Sequence, residues 1–173
     1  VHINPYGEYA VKLGIGLLNT PPTSATELSE RCIDAGLVPD WTATDADLTD
    51  TLDFLDQWAR VVDADTENER AQALNILLAR AAAYPRLTDH AGDGWHMHYR
   101  DPDIALGGVI RALVSVGTAL HLTGRGMSRL ARCAAADCSL AFADTSRTGT
   151  QRYCGTVCSN RDAVRRHRAR AAS

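Results

Sequence analysis

The sequence lacks the features that would place it in a membrane or along a secretory route. No apolar run approaches the roughly 20 residues that a bilayer span needs. Its start, Val1-His2-Ile3-Asn4-Pro5, has neither the basic opening nor the apolar middle of a signal peptide, so a cytoplasmic setting is expected. Also missing are a phosphate-binding Walker loop, a dinucleotide glycine fingerprint and a nucleophile elbow. Internal repeats and low-complexity tracts are absent too. Acidic side chains become scarce over the last third. Between Arg125 and Ser173 only Asp137, Asp144 and Asp162 stand against ten arginines, a net of +7, whereas residues 1–124 carry −10.

What is present suits a small folded regulator. The 173 residues are 45% hydrophobic, enough for one ordinary domain, or for one domain plus a small appendage, and for a proper core. The charge polarity describes an acidic body with a basic end, and the basic end is a candidate for phosphate partners.

Residues 1–124 read as a mainly α-helical domain. An apolar helix over residues 9–18 is ended by Asn19-Thr20-Pro21-Pro22, although Gly14 and Gly16 weaken it. Ser24 and Glu27 have capping-box spacing, with Leu28, Cys32 and Ala35 on one face before Gly36 stops the helix. Thr44 or Asp45 caps the next, whose stripe is Leu48, Leu52, Leu55, Ala59 and Val62, with the carboxylates of Asp45, Asp47, Asp50, Asp53 and Asp56 mostly on its outer face. A further helix spans residues 67–83 and Pro85 closes it. Residues 88–94 are turn-rich, with Gly92-Asp93-Gly94 as the clearest break. Trp95-His96-Met97-His98-Tyr99 alternates like a short strand. Asp101 and Pro102 look like the start of the last long helix, which runs to His121 or Leu122 through the centre of the core and stops near Gly124. Arg125 to Arg132 is short and partly apolar, so the two parts should pack together.

Five cysteines in a chain of this setting point to metal or redox chemistry. Cys32 stands alone among helix formers and reads as a small apolar side chain. The other four form Cys133-x4-Cys138 and Cys154-x3-Cys158. Two close pairs separated by a loop deliver four thiolates to a tetrahedral ion with little chain strain. Zn2+ is the expected ion and its role structural, because four thiolates leave no position for a water. An iron–sulfur cluster is the competing reading, since four thiolates also suit iron. Cys133 and Cys138 bracket a tight knuckle, and Phe142 is expected behind the metal. Ser159 and Asp162 look like a helix start just after Cys158. One ligand pair on a knuckle and one at a helix start describe a small treble-clef-like zinc finger over residues 125–173.

The helix after Cys158 carries Arg161, Arg165, Arg166, Arg168 and Arg170, and helical spacing puts Arg161, Arg165 and Arg168 in one stripe. Arg147 and Arg152, between the ligand pairs, extend the same surface. Guanidinium groups bind phosphates and guanine edges in a bidentate way, so nucleic-acid contact is weighed above a solvated basic tail.

These residues resemble the CGNR-type zinc finger. Its pattern of a cysteine pair, an Asp-x-Ser-Arg loop, an aromatic-Cys step and Cys-Gly-Asn-Arg is matched here by Asp144-Thr145-Ser146-Arg147, Tyr153-Cys154 and Cys158-Ser159-Asn160-Arg161, with Ser159 in place of glycine. More distantly, Leu17-Leu18-Asn19-Thr20, Ala35-Gly36-Leu37 and the His96-x-His98 strand are similar to the helical ABATE domain that precedes this finger in the family. The resemblance implies a stress-related bacterial transcription regulator that binds DNA through the finger. Residues 1–124 would then sense a small-molecule effector, form a homodimer or bind a partner. An RNA-binding protein and a protein-interaction adaptor are the other readings.

Three further groups carry less. His96 and His98 point the same way from a strand and, with His90, would suit a metal, though a plain surface pair is the commoner meaning. Trp41, Trp58, Trp95 and Tyr99 read as core packing before they read as a small-molecule pocket. No catalytic constellation stands out, and the chain is read as a non-enzyme.

Overall fold

Three helices pack around a central one, a further helix is set against one of these three, and the basic end is built onto that body. The computed structural model describes residues 7–37, 42–89 and 95–171. The body comprises α1 (Glu8–Asn19), α2 (Ala25–Asp34), α3 (Asp45–Asp63), α4 (Glu67–Ala81) and α5 (Leu106–Arg125), with a hairpin of β1 (Arg86–Thr88) and β2 (His96–His98) between α4 and α5. A second hairpin, β3 (Leu130–Arg132) and β4 (Ala141–Ala143), precedes the last helix, α6 (Thr156–Ala171). The architecture is mainly helical with small β elements, followed by a smaller metal-binding unit.

Local chemistry explains most helix starts. Thr44 and Asp47 form a reciprocal capping box on α3, and Thr66 and Glu69 form another on α4. At α2, Ser24 accepts from the Glu27 N–H at 3.1 Å, but the Glu27 carboxylate turns back to the N–H of Thr23 at 2.8 Å rather than to Ser24.

The last core helix departs from expectation. It begins at Leu106, not at Asp101-Pro102, and Ala105 at its N-cap offers no side-chain acceptor. The acceptor comes from another helix: Asp47 of α3 takes the Gly107 N–H at 2.8 Å. Helix α5 therefore starts where this carboxylate can reach, and Asp101 instead pairs with Arg86 at 3.2 Å. Burial acts to raise the Asp47 pKa, but hydrogen bonds from Gly107, Thr44 and Leu106 outweigh it and hold it below the ordinary carboxylate value. This also removes Asp47 from the outer face, because it is buried.

At its other end α5 runs through Gly124 to Arg125 and stops at Gly126, whose φ of 119° suits glycine. By length and apolar composition α5 would suffice to cross a bilayer, which corrects the expectation that no segment of the chain would. Within the fold, 67% of its most apolar stretch is buried, against α1, α3 and α4.

The core is built on Trp58, Phe54, Leu17, Leu28, Ile110 and Leu122, all essentially inaccessible. The Trp58 indole N–H donates to Thr118 Oγ1 at 3.0 Å, which satisfies its one polar atom. Cys32 is buried among these residues as a small apolar group, and desolvation pushes its thiol up to about 11. Helices α1 and α5 approach closely because they meet at glycines. A Cβ on Gly117 would lie 2.3 Å from Ala10 Cβ, and one on Gly14 would lie 2.7 Å from Val114 Cγ1. The α1 glycines that weaken its helix propensity are thus partly explained by packing.

The β1–β2 hairpin pairs Leu87 with Met97 in antiparallel register. Its β1 strand falls between Pro85 and the turn-rich segment, where the sequence reading places no element. Trp95 is 75% exposed, which corrects its assignment to the core, while Trp58 fits that assignment. Trp41, His90 and the Gly92-Asp93-Gly94 break lie outside the described residues.

The body and the basic end are joined by specific contacts. Leu130 of β3 and Ala141 of β4 belong to the main core. The Asn19 side chain imitates a strand beside β4, donating to Ala141 O at 2.9 Å and accepting from Ala141 N at 2.8 Å. Buried Arg70 donates to Val61 O at 3.0 Å, to Ala64 O at 2.9 Å and to Met127 O. Arg132 grips Asp63 with two bonds, of 2.7 and 3.1 Å.

Candidate metal centre and basic helix

The four cysteines come from three elements that the hairpin and α6 bring together. Cys133 follows β3 directly, and its N–H donates to Leu140 O at 2.8 Å. The Cys138 N–H bonds Ala135 O at 3.0 Å, closing the expected knuckle. Ala134 N donates to Arg152 O at 2.8 Å, which ties that knuckle to the segment carrying Cys154. Cys158 lies in the first turn of α6.

All four sulfurs lie within 4.8 Å of one another. Cys138 Sγ and Cys154 Sγ are 3.8 Å apart, and Cys154 Sγ and Cys158 Sγ are 3.7 Å apart. Zinc–sulfur bonds of about 2.3 Å in a tetrahedron require sulfur separations of about 3.8 Å. The donor set therefore fits one structural Zn2+, held by Cys133, Cys138, Cys154 and Cys158, with no position left for a water. A multi-iron cluster attaches its thiolates to different irons and needs them further apart.

Electrostatics favours a cation here. Burial works to raise the Cys133 thiol, but backbone N–H groups of Ala135 and Cys154 outweigh it and bring it to about 7. Cys154 is pushed up to about 12, first by burial and then by the neighbouring sulfurs. Four like groups that converge this closely oppose one another's ionisation. A divalent ion resolves that conflict by displacing the protons.

Two buried carboxylates organise the polypeptide around the sulfurs. Asp144 accepts from Ser146 N at 2.8 Å and Gln151 N at 3.0 Å, and faces Arg129 Nη1 at 3.4 Å. Burial raises its pKa, but these bonds prevail and hold it below the ordinary value. The Asp-x-Ser-Arg loop is thus a carboxylate-centred turn, closed by Ser146 Oγ accepting from Gly149 N at 3.2 Å. Gly149 has φ +69°, and a Cβ there would lie 2.5 Å from the Arg129 guanidinium carbon. Only glycine fits.

Asp162 is the second. It accepts from the Tyr153 hydroxyl at 2.6 Å and pairs with Arg165 and, at 3.1 Å, with Arg166. The Tyr153 bond is the main reason its pKa lies below the ordinary value. The expectation that Asp162 is a capping partner of Ser159 fails, because α6 begins three residues earlier, at Thr156. The Ser159 hydroxyl donates to Thr156 O at 3.0 Å inside the helix. With a helical residue at position 159, the family's glycine is not needed for a cap. The small cluster around the sulfurs contains Ala135 and Tyr153. Phe142 is buried on the hairpin but outside that cluster.

The seven arginines singled out in the sequence, Arg147, Arg152, Arg161, Arg165, Arg166, Arg168 and Arg170, are all exposed. Arg161, Arg165 and Arg168 line one open depression on α6 with Asn160 and Val164, so the expected stripe exists. Arg161 also donates to Cys158 Sγ at 3.4 Å and pairs with Asp137 at 3.1 Å. Arg165 and Arg166 pair with Asp162. Among the described residues, Arg147, Arg152, Arg168 and Arg170 make no ion pair. The roles of Asp144, Asp162 and Asp137 do not follow from spacing. The signal that could find them is their rarity, since they are the only acids of the basic end.

Elsewhere, His96 Nε2 and His98 Nε2 lie 3.1 Å apart on one face of β2, as the alternation implies. Among the described residues, Trp58 and Trp95 do not share a pocket, since Trp58 is buried and Trp95 exposed. An open cleft between α1 and α2 is lined instead by Tyr9, Lys12, Leu13, Arg31 and Asp34 among others.

The family model of the CGNR zinc finger matches residues 129–171. The match starts inside the residues that join body to finger and ends with α6. The chain therefore carries a CGNR zinc-finger domain at its basic end, joined to a mainly helical region, and this recognised domain is a non-catalytic module. No curated protein matches the chain.

Proposed function

We propose that the chain is a zinc-containing, DNA-binding transcription regulator of the cytoplasm. Residues 125–173 form its DNA-binding finger, and residues 1–124 form an ABATE-like domain that senses a small-molecule effector or mediates homodimer formation. The observation that carries the reading is α6. Its first turn supplies a metal ligand, which fixes the direction of a helix bearing five arginines, and the surrounding segment has a net charge of +7. The CGNR family is linked to transcription regulation, which agrees with this chemistry. Zinc supplies rigidity: held by the four thiolates, it locks the knuckle to α6 and takes no part in any reaction.

The contacts divide by what each arginine already does. Arg168, Arg170, Arg147 and Arg152 are available to phosphates at no internal loss. Arg165 and Arg166 approach phosphates while anchored on Asp162, and Arg161 while anchored on Asp137.

Duplex binding at several salt concentrations tests the proposal, comparing the intact chain with Arg161→Ala/Arg165→Ala/Arg168→Ala. For every arginine–phosphate pair removed, the dependence of log affinity on log salt should flatten by about 0.9. A slope reduced by roughly two to three supports the assignment. If neither protein binds duplex at low salt while both hold zinc, DNA binding is rejected. Capture of an acidic polypeptide in its place would support the adaptor reading, and preference for RNA the third.

A further inference from the structure

Helix α6 does more than carry charge. Its buried residues are Cys158 and Asp162, both in the first half, and every residue from 163 to 171 is exposed. Sixteen residues at 1.5 Å each make a rod of about 24 Å. It is held at its N-terminal end by the metal centre and presents its outer side along its whole length.

That outer side is not uniformly basic. At 100° per residue, Val157, Asn160, Arg161, Val164, Arg165 and Arg168 share one face of the helix. Val157 is 75% exposed and Val164 is 51% exposed. Phosphates gain nothing from isopropyl groups, and a solvated basic tail has no use for them. Asn160 is exposed beside Val164 in the same depression, between arginines.

Resting on the DNA-binding reading above, we infer that this face reads bases in the major groove of B-form duplex DNA at a short A·T-containing step. Asn160 and Val164 meet base edges, with Val157 beside them, while Arg165 and Arg168 hold the flanking backbone. The groove is about 12 Å wide and admits one helix. An asparagine amide makes a bidentate pair with adenine N6 and N7, and an aliphatic side chain contacts the thymine methyl. Besides its approach to a phosphate, Arg161 serves as a positioning residue, because its bonds to Asp137 and Cys158 Sγ fix the turn that bears Asn160. An RNA duplex fits poorly, since its major groove is deep and narrow and uracil has no methyl.

The test is selection from a random-core duplex library with the intact, zinc-loaded chain, then measurement on the selected duplex. The expected site contains adjacent A·T pairs. Replacing its thymines by uracil should weaken the intact chain about 3- to 5-fold, because a buried methyl is removed. Val164→Ala should lose most of that thymine–uracil difference. Asn160→Ala should lower the preference for adenine about 10-fold. Both variants keep the metal ligands and favour helix, and zinc content with circular dichroism checks their fold. The inference is overturned if salt-dependent binding occurs with no enriched sequence. It is equally overturned if uracil makes no difference, if Asn160→Ala keeps the preference, or if RNA duplex is preferred. Absence of any duplex binding would remove the proposed function itself, a different result from binding without sequence preference.

Discussion

The helical body and the finger are held together by different physics, although both belong to one chain and touch. The body is organised around Trp58, Phe54, Leu17 and Ile110, buried against one another by the hydrophobic effect. The cluster around the metal centre consists of Cys133, Ala135 and Cys158, with Cys138, Tyr153 and Cys154 packed against it. Four of those six side chains are the sulfur ligands. Removing their ion leaves almost nothing apolar to bury. A small unit of this kind needs a staple, whereas a core the size of the body's does not. The two regions nevertheless share one device. Each uses a buried carboxylate to collect backbone N–H groups: Asp47 at the start of α5, and Asp144 in the loop before Cys154.

The largest effect should come from Cys154→Ser. Structural zinc contributes on the order of 10 kcal/mol in isolated fingers, far more than the finger's own packing can replace. The variant should lose its zinc, the helicity of α6 and the ordered loop around Asp144. The body should keep its cooperative melt. The β3–β4 hairpin should stay with the body, because Leu130 and Ala141 lie in the main core. Metal analysis, far-ultraviolet circular dichroism and amide exchange would show this together. Full zinc content in the variant would sink the ligand assignment, and loss of the body's melt would erase the contrast between the two regions.

Much of this contrast is legible in the residues. The cysteine spacing marks the metal set, and helical spacing marks the arginine stripe. Ser24, Thr44 and Pro85 punctuate the body because caps and prolines act locally. What spacing does not reveal is non-local. Asp101-Pro102 looks like a helix start, yet α5 waits for a carboxylate from α3, 60 positions away. Trp95 looks like core because aromatic residues usually are, but it stands just before β2, at the edge of a two-stranded hairpin, and is exposed. Asp162 looks like a cap because three-residue spacing suggests one. The Tyr153 hydroxyl and two arginines claim it instead. Spacing reports neighbours within a turn, not partners brought in by the fold.

The shared carboxylate device predicts an intermediate effect in each region. Asp144→Asn leaves one acceptor oxygen where Ser146 N, Gln151 N and Arg129 now converge. It should cost the finger about 2 kcal/mol, read as easier zinc removal by a chelator. Asp47→Asn should cost the body a similar amount, read in its denaturation midpoint, with zinc retention unchanged. Both native groups have folded pKa values below their unfolded ones. Their stabilisation is therefore complete above the unfolded carboxylate pKa of about 4 and is lost as pH falls through the folded values. The finger also loses its thiolates to protons, so acid titration should release zinc before the body unfolds. Simultaneous loss would mean that the joint couples the two regions into one cooperative unit.

The smallest change addresses that joint. Asn19 ends α1 and makes two hydrogen bonds to the backbone of Ala141, the first residue of β4. In strand pairing those groups would meet another backbone; here one side-chain amide satisfies both, so β4 has a partner on the side away from β3. Asn19→Ala removes both bonds from a half-buried site that water can partly reach, so the expected cost is about 1 kcal/mol rather than the full penalty of two orphaned groups. Amide exchange at Ala141 should quicken about 5-fold, matching that energy, while zinc content and α6 helicity stay fixed. If the substitution instead loosened the zinc, the hairpin would have to be stabilised mainly through the body, with the knuckle inheriting its order from α1. The opposite result, exchange unchanged at Ala141 but faster on chelation, would assign β4 to the finger despite Leu130 and Ala141 sitting in the main core.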